Sequence, residues 1–225
     1  MFGAPIGRRL LLITAAASAA VLALVPAAGA SAHPVARSPC PSCGRNLVLN
    51  PGAESARGAG GDIRVRTPDW KQTGGFTATQ YAWSSGDVSA TTHGPRRRGK
   101  NYFYGGPASA RSTGTQVRTV AAGGIRSGKV RYILSGWLGG FDGQNDHATL
   151  VLTFEKADGT VVGSVRLGPV TEAQRKGVSE LLFRSVKGKV PSATRKLKIE
   201  LIMVRASGSD NDGLADNLSL VLRFT

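Results

Sequence analysis

The chain has 225 residues, with 29 lysines and arginines against 14 aspartates and glutamates and a formal net charge of +15 at pH 7. Such a length, once an export signal is set aside, suits one well-cored domain and excludes two of ordinary size. The basic excess favours anionic polymers as partners, nucleic acid or acidic wall polysaccharide, although charge alone does not separate these from a merely solvated surface.

Arg8-Arg9 followed by the apolar run Leu10 to Val25 reads as an export signal. Ala28-Gly29-Ala30 and Ala30-Ser31-Ala32 both fit a small-x-small cleavage site, and the second, before His33, is the one chosen. The run is short for a membrane span of about 20 residues. A signal peptide over residues 1–32 is therefore expected, then a flexible segment over 33–45 and one domain over 46–225 of a secreted protein. Both the general and the twin-arginine export routes stay open. Cys40 and Cys43, the only cysteines, are expected to pair as a local disulfide in an oxidising compartment. No strand-to-helix setting suggests a redox pair, and no second ligand pair suggests zinc.

Short extended segments then follow one another. Asn46 to Asn50 reads as a strand stopped by Pro51-Gly52, and Phe76 to Trp83 as extended. Asn101 to Gly106 follows the basic run Arg96-Arg97-Arg98-Gly99-Lys100. Gln116 to Val120 and Lys129 to Leu138 read as neighbouring strands separated by glycine turns. In the second, Val130, Tyr132, Leu134 and Leu138 share one side, and Arg131, Ile133, Ser135 and Trp137 the other. Ala148, Leu150, Leu152 and Phe154 alternate with polar residues, and Asp158-Gly159 turns the chain into Thr160 to Leu167.

Thr171-Glu172-Ala173-Gln174 fits a capping box for one helical turn that Gly177 stops. Leu181 to Val186, Lys196 to Val204 and Asp216 to Phe224 complete the set, the last after the turn-rich run Ser207 to Gly213. Leu218, Leu220, Leu222 and Phe224 fall on one side of that final strand, Asn217, Ser219 and Arg223 on the other. Turn signals every eight to twelve residues or so indicate an all-β sandwich.

Three motifs lie in a recognisable order. Asn46-Leu47-Val48-Leu49-Asn50-Pro51-Gly52-Ala53-Glu54 resembles the opening of carbohydrate-binding modules with the galactose-binding-like jelly roll. Thr115 to Trp137 is similar to that family's central hairpin, and Asp216-Asn217-Leu218-Ser219-Leu220 resembles its closing strand. Ala53 stands where the family usually has an aromatic residue, and the basicity is unusual. The resemblance covers Asn46 to Phe224. It implies an all-β, two-sheet antiparallel jelly-roll sandwich that binds glycans without cleaving them. It also implies a structural calcium ion (Ca2+) at the positions of Glu54 and Asp216, since that ion takes six to eight hard oxygens.

Sugars need an aromatic face beside planar polar groups. Trp137 is the leading candidate, on the polar side of its strand; Tyr102 and Tyr104 come next, near the arginine run. Aromatic residues in a small sandwich are more often core. Asp142, Asp146, Asn211 and Asp212, in two loops, are expected to converge as a polar site, though such loops are rich in these residues anyway. The histidines lack a metalloprotease or nucleophile-elbow context, no carboxylate pair is placed by a motif, and no phosphate loop is present. The expectation is therefore a secreted, monomeric, non-catalytic module for carbohydrate or an anionic cell-wall polymer. Nucleic acid ranks below the wall, and an adhesion domain without sugar binding or a glycan hydrolase are the alternatives.

Overall fold

In the computed structural model, Met1, residues 40–83 and residues 85–225 are described. The expected export signal, apart from Met1, lies outside the described residues. Ten strands form: β1 (Lys71–Thr73), β2 (Thr77–Gln80), β3 (Asn101–Gly106), β4 (Arg111–Thr119), β5 (Val130–Gly140), β6 (His147–Glu155), β7 (Val161–Leu167), β8 (Glu180–Lys189), β9 (Lys196–Val204) and β10 (Asn211–Phe224). Two short helices join them, α1 (Ala122–Arg126) and α2 (Glu172–Arg175). Among the described residues no helix is long and apolar enough to cross a membrane.

The strands make two five-stranded antiparallel sheets, ordered β1-β4-β9-β6-β7 and β2-β3-β10-β5-β8. Alternation decides which face each strand buries. Leu134 and Leu138 of β5, Leu150 and Leu152 of β6, Leu197 and Ile199 of β9, and Leu220 and Leu222 of β10 are all fully buried between the sheets. Burial of that kind stabilises the fold by about 1.5–3 kcal/mol per side chain. Trp70 anchors one end, its ring edge-on to Phe103 at 5.3 Å and its indole N–H donated to the Asn50 carbonyl. Gly114 is required there: a β-carbon would lie 2.3 Å from the Phe76 ring.

Three expectations are corrected. Asn46 to Asn50 is not a strand. It makes one isolated bridge, Asn46 to Val221, and the Asn46 side chain itself bonds Leu218 O and Leu220 N. That side chain takes the place of a ladder, and Asn50 then turns away with φ 44°. The opening segment nevertheless lies along β10, with Leu47 N donated to Leu220 O. Second, β4 and β5 are not neighbours: Ala122–Arg126 forms α1 rather than a hairpin turn, and the chain crosses from one sheet to the other. Third, Asn211 to Gly213 already belong to β10. The capping box of α2 is present in full, with Lys176 left-handed behind it. Cys40 and Cys43 form the disulfide.

Candidate functional site

One face of the β2-β3-β10-β5-β8 sheet looks away from the core, and the register of its last three strands sets out four rows across it. Ser219, Ser135 and Ser185 stand side by side, as do Val221, Ile133 and Lys187. Beyond them stand Arg223, Arg131 and Lys189, all exposed. At the other end Trp137 pairs with Phe183, their rings 5.7 Å apart. Rows on one face of a strand are about 7 Å apart, so the four span about 20 Å. The strip therefore runs from an aromatic end over one row of hydroxyls and one largely apolar row to a cationic end.

The local sequence explains why the rows hold. Between Asp216 and Ser219 the β10 register shifts against β5, with Asn217 in the left-handed region at φ 47°. This bulge puts Leu218 into the core against Gly136, where a β-carbon would meet it at 2.7 Å. It also docks two loops: Asn217 Nδ2 donates to Arg97 O, and Leu218 N to Pro51 O.

The segment from Tyr81 to Lys100 lies over the aromatic half of this face. Tyr81 and Val88 pack there with Tyr102, Tyr104, Leu181 and Leu214, with Trp137 at the border. Tyr81 donates to Asp216 Oδ2 at 2.9 Å, and the Arg98 guanidinium sits 5.0 Å from the Tyr81 ring centre while donating to three carbonyls. Tyr102 and Tyr104 are only 0% and 2% exposed, so neither offers a ring to a ligand, contrary to the sequence expectation. The arginine run consequently has no stacking partner in them. Trp137 is half-buried, and Phe183, 52% exposed, is the more open ring. Phe183 was missed, although alternation with Ser185 and Lys187 placed it on the polar side of its strand.

Beneath the segment is a group of carboxylates. The Tyr104 hydroxyl lies 3.2 Å from both Asp62 Oδ1 and Asp212 Oδ1. One hydroxyl proton cannot serve two ionised acceptors. Burial pushes Asp87 up to about 8, and Asp212, Asp62, Asp210 and Asp146 push the same way. Burial likewise lifts Asp212 to about 6, helped by Asp146. Among the described residues Asp87 Oδ2 has no hydrogen-bond partner.

Of the two expected acidic loops, Asp146 and Asp212 do converge. Asp146 accepts from Ala206 N, Ser207 N and Asp212 N, so its carboxylate clasps the chain rather than waiting for a ligand. Asn211 is buried and bonded to Met203 O and Gly213 N, and Asp142 stays exposed, apart from them. Arg175, unnoticed in the sequence, is fully buried and holds that loop through the carbonyls of Asp142 and Gln144.

Glu54 and Asp216 meet around Gly52, whose β-carbon would lie 3.2 Å from Asp216 Oδ1 and Asn217 Oδ1 and 3.7 Å from Glu54 Cγ. Glu54 Oε1 accepts from Lys100 N and Asn101 N, and Asp216 Oδ1 from Asn217 N. Burial pushes Asp216 up to about 8. Two carboxylates and an amide oxygen are the donor type a hard cation takes. Among the described residues no three His, Cys, Asp or Glu side chains gather as a metal cluster, so main-chain oxygens would have to complete such a site.

The sandwich is shared with solved structures. A cyclase from Fischerella sp. TAU, in complex with 4-(1H-indol-3-yl)butan-2-one, matches 79% of this chain and 96% of its own at 14% identity and a TM-score of 0.51. The module TmCBM61, in complex with beta-1,4-galactotriose, matches 80% of this chain and 99% of its own at 17% identity and a TM-score of 0.46. The enzymatically active domain of bacteriophage CBA120 tailspike protein 4 matches at 16% identity and a TM-score of 0.49, with this chain spanning 21% of that one. At such identities the likeness concerns the fold. No family model and no curated protein matches the chain.

Proposed function

We propose that this protein is an exported, non-catalytic module that binds an anionic polysaccharide along the outer face of the β2-β3-β10-β5-β8 sheet. The observation that carries the reading is the register row Arg223–Arg131–Lys189 in line with the Trp137–Phe183 pair. Like charges directly opposite on neighbouring strands cost stability, and the side chains of these three have no ion pair or hydrogen bond among the described residues. A lysine at a sheet edge can serve simply to block strand pairing. That accounts for Lys189 on edge strand β8, and for Arg223, since β3 reaches β10 only as far as Ala215, but not for Arg131, which is paired on both sides. An acidic chain would lay a sugar face on the rings, its hydroxyls over the serines, and its carboxylates or sulfates on the cations.

Phe183→Ala tests the aromatic end. The ring is half exposed, so the melting temperature should fall by no more than about 2–4 °C, while affinity for an acidic polysaccharide such as polygalacturonate falls about tenfold or more in affinity electrophoresis. Unchanged retardation would remove the aromatic end from the account. Trp137→Ala is the weaker probe, because its ring also packs against the covering segment.

The same reading includes a calcium ion held by Glu54, Asp216 and the Asn217 side-chain oxygen. Bound there, it would tie the opening turn to the last strand. Calcium at about a hundred times its dissociation constant should raise the melting temperature by about 5–10 °C relative to chelator. Identical melting in both would exclude the ion.

A further inference from the structure

A cavity of about 410 Å³ is lined by Glu54, Ala56, Arg57, Gln80, Lys100 and Asn101. Its volume lies in the range of small-ligand sites. Its walls come from the turn after Gly52, the end of β2 and the entry to β3. Asn101 fixes that geometry, donating through Nδ2 to Ala53 O and Ala56 O, and Gln80 Nε2 donates to Gly58 O. Lys100 and Arg57 are exposed, and their side chains have no ion pair or hydrogen bond among the described residues.

We propose that this cavity is a second binding site, for a single carboxylate-bearing sugar of the uronic acid type. The inference rests on the carbohydrate reading above but concerns a different place on the molecule. Two unpaired cations call for an anion. Gln80 Oε1, which has no partner among the described residues, calls for a hydroxyl donor. A sugar acid brings both groups on one small ring. A bare phosphate is disfavoured, because the main-chain N–H groups of Lys100 and Asn101 already serve Glu54 Oε1. A nucleotide is disfavoured too, since no aromatic ring lines the cavity to stack a base.

The test is an NMR titration of the protein with galacturonate and glucuronate, and with galactose and glucose as neutral controls. Uronates should shift the main-chain amides of Lys100 and Asn101 and the Gln80 side-chain amide, and the neutral sugars should not. Arg57→Gln combined with Lys100→Gln should weaken the uronate-dependent shifts of these amides about tenfold. Equal shifts with neutral sugars, or full affinity in the double variant, would overturn the site. Uronate shifts confined to Ser135 and Ser185 would overturn it while sparing the sheet-face reading. Silence of the cavity alongside intact polysaccharide binding would do the same.

Discussion

Asp87→Asn is expected to stabilise this protein near pH 8, by roughly 5 kcal/mol or about 10–20 °C in melting temperature. Asp87 faces Asp62, Asp210, Asp212 and Asp146, and burial with those charges raises its carboxyl to about 8. In the unfolded chain the same group ionises near pH 4. Below that both states hold the proton, and nothing is lost. As pH rises from about 4 towards about 8 the unfolded state releases its proton while the folded state keeps it, so stability falls across that window. Asn carries the neutral form permanently. The variant and the wild type should therefore melt within about 1–2 °C of each other near pH 4 and diverge steadily above it. Thermal melts at a series of pH values check this. A variant destabilised throughout would mean that a partner holds Asp87 ionised.

The second large effect lies in the cationic row. Replacing Arg131, Lys189 and Arg223 together by glutamine should weaken binding to an acidic polysaccharide between about tenfold and a hundredfold. The salt dependence of what remains should flatten. The same change removes two directly opposed like-charge pairs, so stability should rise by roughly 1 kcal/mol. Affinity and melting temperature moving in opposite directions is the signature of cations kept for a ligand. If affinity is unmoved while stability rises, the row is only a solvated surface.

Much of the fold was legible because alternation is a local property. Val130, Tyr132, Leu134 and Leu138 sorted from Arg131, Ile133, Ser135 and Trp137 by spacing alone, and their burial follows that division. Pairing is not local. Nothing within Gln116 to Val120 or Lys129 to Leu138 says that α1 sends these strands to different sheets. The same limit explains the site. Arg131 and Arg223 were both on polar faces in the sequence, but their adjacency depends on the β10 bulge at Asn217, a conformation the strand pattern does not announce. Tyr102 and Tyr104 misled for the opposite reason. They do leave the core face, but a segment twenty residues upstream folds back to cover them, and its Tyr81 carries no local sign of doing so.

The most direct test is an NMR titration with an oligogalacturonate long enough to cover the four rows. Amide shifts grouped on Arg131 to Trp137, Phe183 to Lys189 and Ser219 to Arg223, lost on adding salt, are the predicted result. Shifts grouped on the β1-β4-β9-β6-β7 sheet, or none anywhere, would contradict the account.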